Sequence, residues 1–279
     1  SWRSNPRPSQ SGGEALSRVM LRLGANIAFL YKELPFLDRF AASAAAGFKL
    51  VECHWPYEHP VEVLRDHLAR AGQKLIMVNT ALGNRVGDFG LGAVPGREAD
   101  FQAAFDQALH YISALGGTRI HCMAGKVPVT ASSHRAFVDN LRLAADKAKD
   151  KGVTLVIEPL NQRSAPGYFL TSTRQASDII GEVDRQNLRL MFDVFHLQIL
   201  EGDIIMKLEK LLPIIGHVQI AAVPSRAEPD EGEINYRAVF DALERIGYDG
   251  VVGAEYLPRA DTPSGLKWMK TLGVAPDAA

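Results

Sequence analysis

Short apolar runs recur along this chain, each followed by a helical pattern, and that recurrence is what most limits how it can fold. The runs are RLGANIAFL (22–30), KLVECH (49–54), KLIMVNT (74–80), RIHCMAG (119–125), VTLVIEP (153–159), LRLMFDVFH (188–196), GHVQIAAV (216–223) and GVVGAEY (250–256). Most are near-continuous rather than alternating, as parallel strands covered on both faces require. The stretches between them carry helix signals. LDRFAASAAAGF stops at Gly47 and VEVLRDHLARAG at Gly72. Phe101, Phe105, Leu109 and Ile112 line one helical face, Ser172 and Gln175 stand in capping-box register, and NYRAVFDALERIG precedes the eighth run. Eight strand–helix alternations over roughly 250 residues predict an α/β fold, a single-domain (β/α)8 TIM barrel. A doubly wound open sheet is the rival, but eight units exceed its usual count and no glycine-rich turn follows the first run. The G-x-G of GLGAVPG (90–96) lies inside a long loop and lacks the third glycine of a dinucleotide fingerprint.

Composition narrows the partners. The chain has 279 residues and a formal net charge of −1, so it has no general attraction for nucleic acid or an anionic membrane. Its two cysteines, Cys53 and Cys122, argue against a disulfide scaffold and fit a reducing, cytoplasmic setting. No apolar run reaches the roughly 18–20 residues that span a bilayer. Residues 1–20, rich in Ser, Pro, Gly and Arg and without the apolar core of a signal peptide, are expected to be a disordered N-terminal extension, leaving 21–279 as the barrel.

In a barrel the C-terminal strand ends form the mouth where chemistry is done. Reading each run to its end places Glu158, Asp193, Gln219 and Glu255 on four consecutive strands. Singly, each reads as a solvated rim residue or a helix cap. Together, three carboxylates at one mouth would repel unless a cation neutralised them. An oxygen-only set suits a hard divalent ion, Mg2+ or Mn2+, better than Zn2+. Such a centre, with two glutamates exchanging a proton between neighbouring carbons, is chemistry for an enediolate, as in aldose–ketose isomerisation or sugar epimerisation. It needs no organic cofactor.

Other residues fit around this centre with their alternatives open. His196 is placed for substrate contact and His121 closes the fourth run. His217 lies on the same strand face as Gln219, as a site residue or as a hydrogen-bonded interior one. Arg226 and Lys126 are the cations available to an acidic substrate, or else ordinary solvated charges. Glu52, Trp55 and Tyr57 are candidates for the pocket wall, and the loop 81–98 has the length and glycine content of a lid.

Taken together, VECHWPY, GLGAVPGRE, IHCMAGKVP, IEPLN, FDVFHLQ, GHVQIAAVPSRAEPDEGEINY and GAEYLPR resemble the hydroxypyruvate isomerase family of the xylose isomerase-like TIM-barrel superfamily, from about residue 22 to about 270. The resemblance implies that Glu158 and Glu255 are the catalytic proton donor and acceptor. It implies that these two, with Asp193 and Gln219, are the metal positions, and that His196 and Arg226 face the substrate. The reaction implied is interconversion of hydroxypyruvate and 2-hydroxy-3-oxopropanoate. A 2-oxo-tetronate isomerase or a ketose 3-epimerase with the same site is the alternative, and a small-acid-binding barrel without catalysis a more distant one. The similar 3-epimerases carry His where this chain has Gln219. The zinc-dependent AP endonuclease branch needs more rim histidines and a DNA-binding charge. The expected partner is therefore a small hydroxy-oxo acid, with no nucleic acid and no membrane; a homo-oligomer is compatible with this reading.

Overall fold

A computed structural model describes residues 21–276; the expectation for residues 1–20 lies outside the described residues. The strands are β1 (Arg22–Asn26), β2 (Leu50–Glu52), β3 (Lys74–Leu75), β4 (Met77–Asn79), β5 (Arg119–His121), β6 (Thr154–Ile157), β7 (Leu188–Asp193), β8 (Ile215–Ile220) and β9 (Val251–Ala254). They form one parallel sheet in the order β3-β2-β1-β9-β8-β7-β6-β5-β4, so the first and last strands of the chain pair with each other. At the other seam β3 and β4 are separated only by Ile76. Ile76 N–H donates to Val51 O (2.8 Å), Cys53 N–H to Met77 O (3.2 Å) and Asn79 N–H to His54 O (2.8 Å). The third apolar run is thus one strand with a break, and the barrel has the eight staves its sequence predicts.

The helices are α1 (Asp38–Ala45), α2 (Val61–Ala71), α3 (Glu98–Ala114), α4 (Ala131–Lys149), α5 (Thr173–Val183), α6 (Val194–Leu200), α7 (Ile204–Leu211), α8 (Tyr236–Arg245), α9 (Thr262–Gly265) and α10 (Trp268–Leu272). Phe101, Phe105, Leu109 and Ile112 are buried on α3, as their spacing requires. Ser172 caps α5 by accepting from Gln175 N–H (3.0 Å), but the Gln175 side chain takes Thr171 N–H, so only half of the capping box forms. The sixth run stops being strand at Asp193. Its carboxylate accepts Phe195 N–H at 2.9 Å, caps α6, and turns the VFH segment into the first helical turn.

The predicted lid is largely clamped. Gly92 N–H donates to Met123 O (3.0 Å) and Ala93 N–H to Ala124 O (2.7 Å), which fastens the second half of the loop to the segment after β5. Gly90 has φ +99°, and a Cβ there would fall 2.5 Å from Met123 Cβ. Gly90 and Gly92 therefore let two backbones approach, while the exposed tip, 83–87, is held within the loop, through Arg97 Nη2 to Asn84 Oδ1 (3.0 Å) and Arg85 N–H to Asp88 Oδ2 (2.9 Å).

Inside the barrel the side chains are layered. Leu50, Met77, Val156, Met191 and Val251 form a small apolar cluster with Ile76. Two residues further along the same faces stand Glu52, Asn79, Glu158, Asp193 and Gly253. The interior thus changes from hydrocarbon to polar groups within one layer, and the candidate site begins there.

Candidate active site

Glu158, Asp193 and His196 each place one ligand atom within 4.8 Å of the others, a buried cluster with the spacing of a metal site. Glu158 Oε1 and Asp193 Oδ2 are buried and have no hydrogen-bond partner, and neither has Gln219 Oε1. These oxygens, at the ends of three adjacent strands, receive no protein N–H and fit a hard cation; without one, Glu158 and Asp193 share a proton between them. Burial, and after it the charges of Asp193 and Glu255, push Glu158 well above the usual carboxylate range. Burial and Glu255 push Asp193 up to about 7, against the opposing pull of Arg226.

Glu255, the fourth expected ligand, is differently placed. Its Oε2 receives Asn26 Nδ2 (2.9 Å) and Gln219 Nε2 (2.7 Å) and lies 3.2 Å from His54 Nε2; its Oε1 receives Arg226 Nη2 (3.1 Å). It is a fully solvated carboxylate with protein in place of water. Arg226 has a left-handed φ of +59°, and its guanidinium lies between the rings of Phe29 (4.9 Å) and Phe195 (4.8 Å). That sandwich holds a cation at the pocket wall while Nε remains without a partner.

His196 belongs to the group around Glu158, but its ring nitrogens are not equivalent. Nδ1 accepts from Asn161 N–H (3.1 Å) and from Asn161 Nδ2 (2.8 Å), and Asn161 Oδ1 is itself occupied by Ser164 N–H (2.8 Å). The proton of the neutral ring therefore sits on Nε2, which lies 3.7 Å from Asp193 Oδ2 and 3.9 Å from Glu158 Oε1. Burial and the Arg226 charge hold the ring well below the usual imidazole pKa, and so neutral. A protonated Nε2 donates a hydrogen bond and offers no lone pair to a metal. His121 is also held neutral, with burial and then His54 and His217 lowering it to about 3; its Nε2 lies 3.7 Å from Glu158 Oε2.

A cavity of about 230 Å³ opens above these groups, its wall including Phe29, Trp55, Phe89, His121, Glu158 and Arg226. It is smaller than the ~300–1,000 Å³ usual for drug-sized ligands, so it selects small molecules. Two expected substrate contacts lie elsewhere. Glu52 is fully buried beneath the cavity, bonded to His217, Gln219 and Asn26. Its burial opposes ionisation, but the neighbouring His217 and these three hydrogen bonds prevail and keep its pKa below the ordinary value. Lys126 is exposed, its ammonium 4.8 Å above the Phe89 ring and outside the cavity lining. Tyr57 turns its hydroxyl to Asn79 O. His217, fully buried, takes the interior role.

Sequence reasoning missed His54, Asn26 and Asn161. His54 was within reach, since Leu50, Glu52 and His54 share one face at a spacing of two. It joins His121 and His196 at the pocket, where the sequence reading has His217 as the third candidate.

The sequence matches the family model described as xylose isomerase-like TIM barrel over residues 40–272, and the chain belongs to that family. The 2-oxo-tetronate isomerase of Cupriavidus necator is 47% identical over 255 residues, covering 90% of this chain and 98% of that protein. The hydroxypyruvate isomerase of Escherichia coli K12 is 40% identical over 254 residues, covering 90% and 98%. Among solved structures, one named AP endonuclease, family 2, from Brucella melitensis aligns with a TM-score of 0.88 at 40% identity, covering 90% of this chain and 99% of that one. Within the family the chain is therefore an isomerase, an enzyme of the hydroxypyruvate isomerase type. Among the described residues no helix is long and apolar enough to cross a membrane.

Proposed function

We propose that this enzyme interconverts hydroxypyruvate and 2-hydroxy-3-oxopropanoate, with Glu158 and Glu255 moving the proton between adjacent carbons. The observation that carries this reading is the pair of buried glutamates, just past β6 and just past β9, that line one small cavity with Arg226 beside them. Glu158, Asp193 and Gln219, with Glu255 completing the set, would hold Mg2+ or Mn2+. When bound, the ion would supply positive charge for two neighbouring substrate oxygens.

The protein groups divide the remaining work. Arg226 keeps donors available for the substrate carboxylate. His196 Nε2–H, fixed by Asn161, is a donor for a substrate oxygen that gains charge. Glu158, uncharged where its pKa is raised, can give a proton to one of the two neighbouring carbons. Glu255, held by four donors, keeps its geometry while it does the reverse. The free, buried thiols Cys53 and Cys122 support a cytoplasmic setting.

A second reading, 2-oxo-tetronate isomerisation, is favoured by the 47% identity to the C. necator protein. Parallel assays with hydroxypyruvate, 2-oxo-tetronate and a neutral ketohexose separate the two. Turnover of hydroxypyruvate is expected; turnover of the tetronate alone would transfer the assignment to the second reading. The AP endonuclease name of the Brucella structure is tested with abasic DNA at low salt, where no cleavage is expected. Arg226→Ala should raise KM for the acid by about 10–100-fold, the loss of one charge-assisted bond. An unchanged KM would remove Arg226 from carboxylate binding.

A further inference from the structure

We propose that Glu52 is a positioning residue that, with Glu255, fixes which end of the Gln219 amide is left free, and thereby sets the affinity for the cation. This rests on the reading that Gln219 is a metal ligand. The two ends of a carboxamide are nearly the same size, yet only the oxygen has lone pairs for a cation; the NH2 end would repel it. Something must choose between them.

Gln219 Nε2 lies 2.7 Å from Glu52 Oε1 and 2.7 Å from Glu255 Oε2. Carboxylates only accept, so turning the amide over would press its oxygen against two carboxylate oxygens. The opposite end, Oε1, is the one left buried and without a partner. Glu52 is itself fixed. His217 Nε2 lies 2.6 Å from Oε2, and Asn26 Nδ2 donates to Oε1 at 3.0 Å. The Asn26 amide is in turn oriented by Ala28 N–H, which donates to Oδ1 at 3.0 Å. On β9, a Cβ at Gly253 would fall 2.5 and 2.6 Å from the two Glu52 oxygens, so the missing side chain is the space the carboxylate occupies. Glu52 is fully buried and touches no part of the cavity. Its influence passes through Gln219.

A merely structural Glu52–His217 pair would predict lost stability and nothing more. The orientation role predicts a specific loss in E52Q. His217 Nε2–H would take the oxygen of the introduced amide, leaving the introduced NH2 toward Gln219. Gln219, still held by Glu255 Oε2 through one N–H but facing the introduced NH2 with the other, would lose its single preferred orientation, and its oxygen would be free for the cation only part of the time. Mn2+ affinity, read by titration calorimetry or by the resonance of free Mn2+, should fall about 10–100-fold, as when outer-shell partners of a ligand are lost. In E52Q/Q219E the net charge is that of the wild type and residue 219 needs no orienting, since either of its oxygens can meet a cation; one accepts from the introduced NH2, while the repulsion from Glu255 Oε2 remains until a cation binds. Affinity should return to the wild-type range, although Q219E alone, with carboxylate against carboxylate, is destabilised. Independently of any variant, Mg2+ should shift the Gln219 Cδ resonance of selectively labelled wild-type protein while its NH2 protons stay slow to exchange. Unchanged Mn2+ affinity in E52Q, a double variant no better than E52Q, or rapid exchange of the Gln219 NH2 protons would each overturn the proposal. A wild-type protein that binds no Mn2+ would overturn the metal reading and this proposal with it.

Discussion

Glu158→Gln is expected to leave a folded protein whose turnover is about 1,000-fold slower, within the ~10²–10⁴ range for loss of a general acid–base. The substitution keeps the shape of the side chain and removes its ability to carry a proton. It should not weaken the metal-free fold. Glu158 Oε1 has no partner, and burial and the charges of Asp193 and Glu255 already work against its ionisation. A neutral amide relieves that repulsion, so the melting temperature of the metal-free variant should equal or exceed that of the wild type. Glu255→Gln differs, because the carboxylate there answers Asn26, Gln219, His54 and Arg226. That variant should lose activity and stability together. Turnover surviving in both variants would end the two-glutamate scheme.

The second large effect is a dependence on pH that a cation reverses. Asp193 is raised in the folded chain to about 7, first by burial and then by Glu255. A carboxyl whose folded pKa exceeds its unfolded value contributes stability that is full below pH ~4 and lost as pH rises through about 7. Asp193→Asn should therefore gain stability relative to wild type as pH climbs from about 4 to about 8, by the order of a few kcal/mol, seen as several degrees in melting temperature. The comparison is made between variants because His121 and His196 act in the opposite direction. Held neutral by burial, they favour the fold as pH rises past the ordinary imidazole value. The amide can still accept Phe195 N–H and cap α6, so the helix start is kept. With excess Mn2+ the order should invert, because the ion binds the ionised wild-type carboxylate. A gap between the two proteins that is flat with pH, or insensitive to Mn2+, would contradict the arrangement.

The ring of strands was legible because each apolar run ends where the core ends, and an acid or amide marks the spot at Glu158, Asp193, Gln219 and Glu255. The break at Ile76 was not, since the residues on both sides of it are as apolar as those of a continuous strand. The depth of Glu52 was hidden for a geometric reason. Strands are staggered around a barrel, so the last residue of one can lie below the last residue of another, and that stagger is a property of closure rather than of any one run. Asn161 sits in the loop after β6 and Phe29 in the turn after β1, where no period marks them. Lys126 follows β5 closely, yet its side chain stays at the surface over Phe89. The tautomer of His196 depends on a backbone N–H 35 positions away in the chain, a contact only folding creates.

The polar layer inside this barrel bears on how such a pocket can be transplanted. Asn26, Glu52, His217 and Gln219 come from three separate strands, and Gly253 on a fourth leaves room for them. A designer who grafted only the cavity wall onto another eight-stranded scaffold would carry over the visible residues and lose the floor that aims them. The smallest portable unit of this chemistry is therefore a slab cut across the whole barrel, including a position that must stay empty.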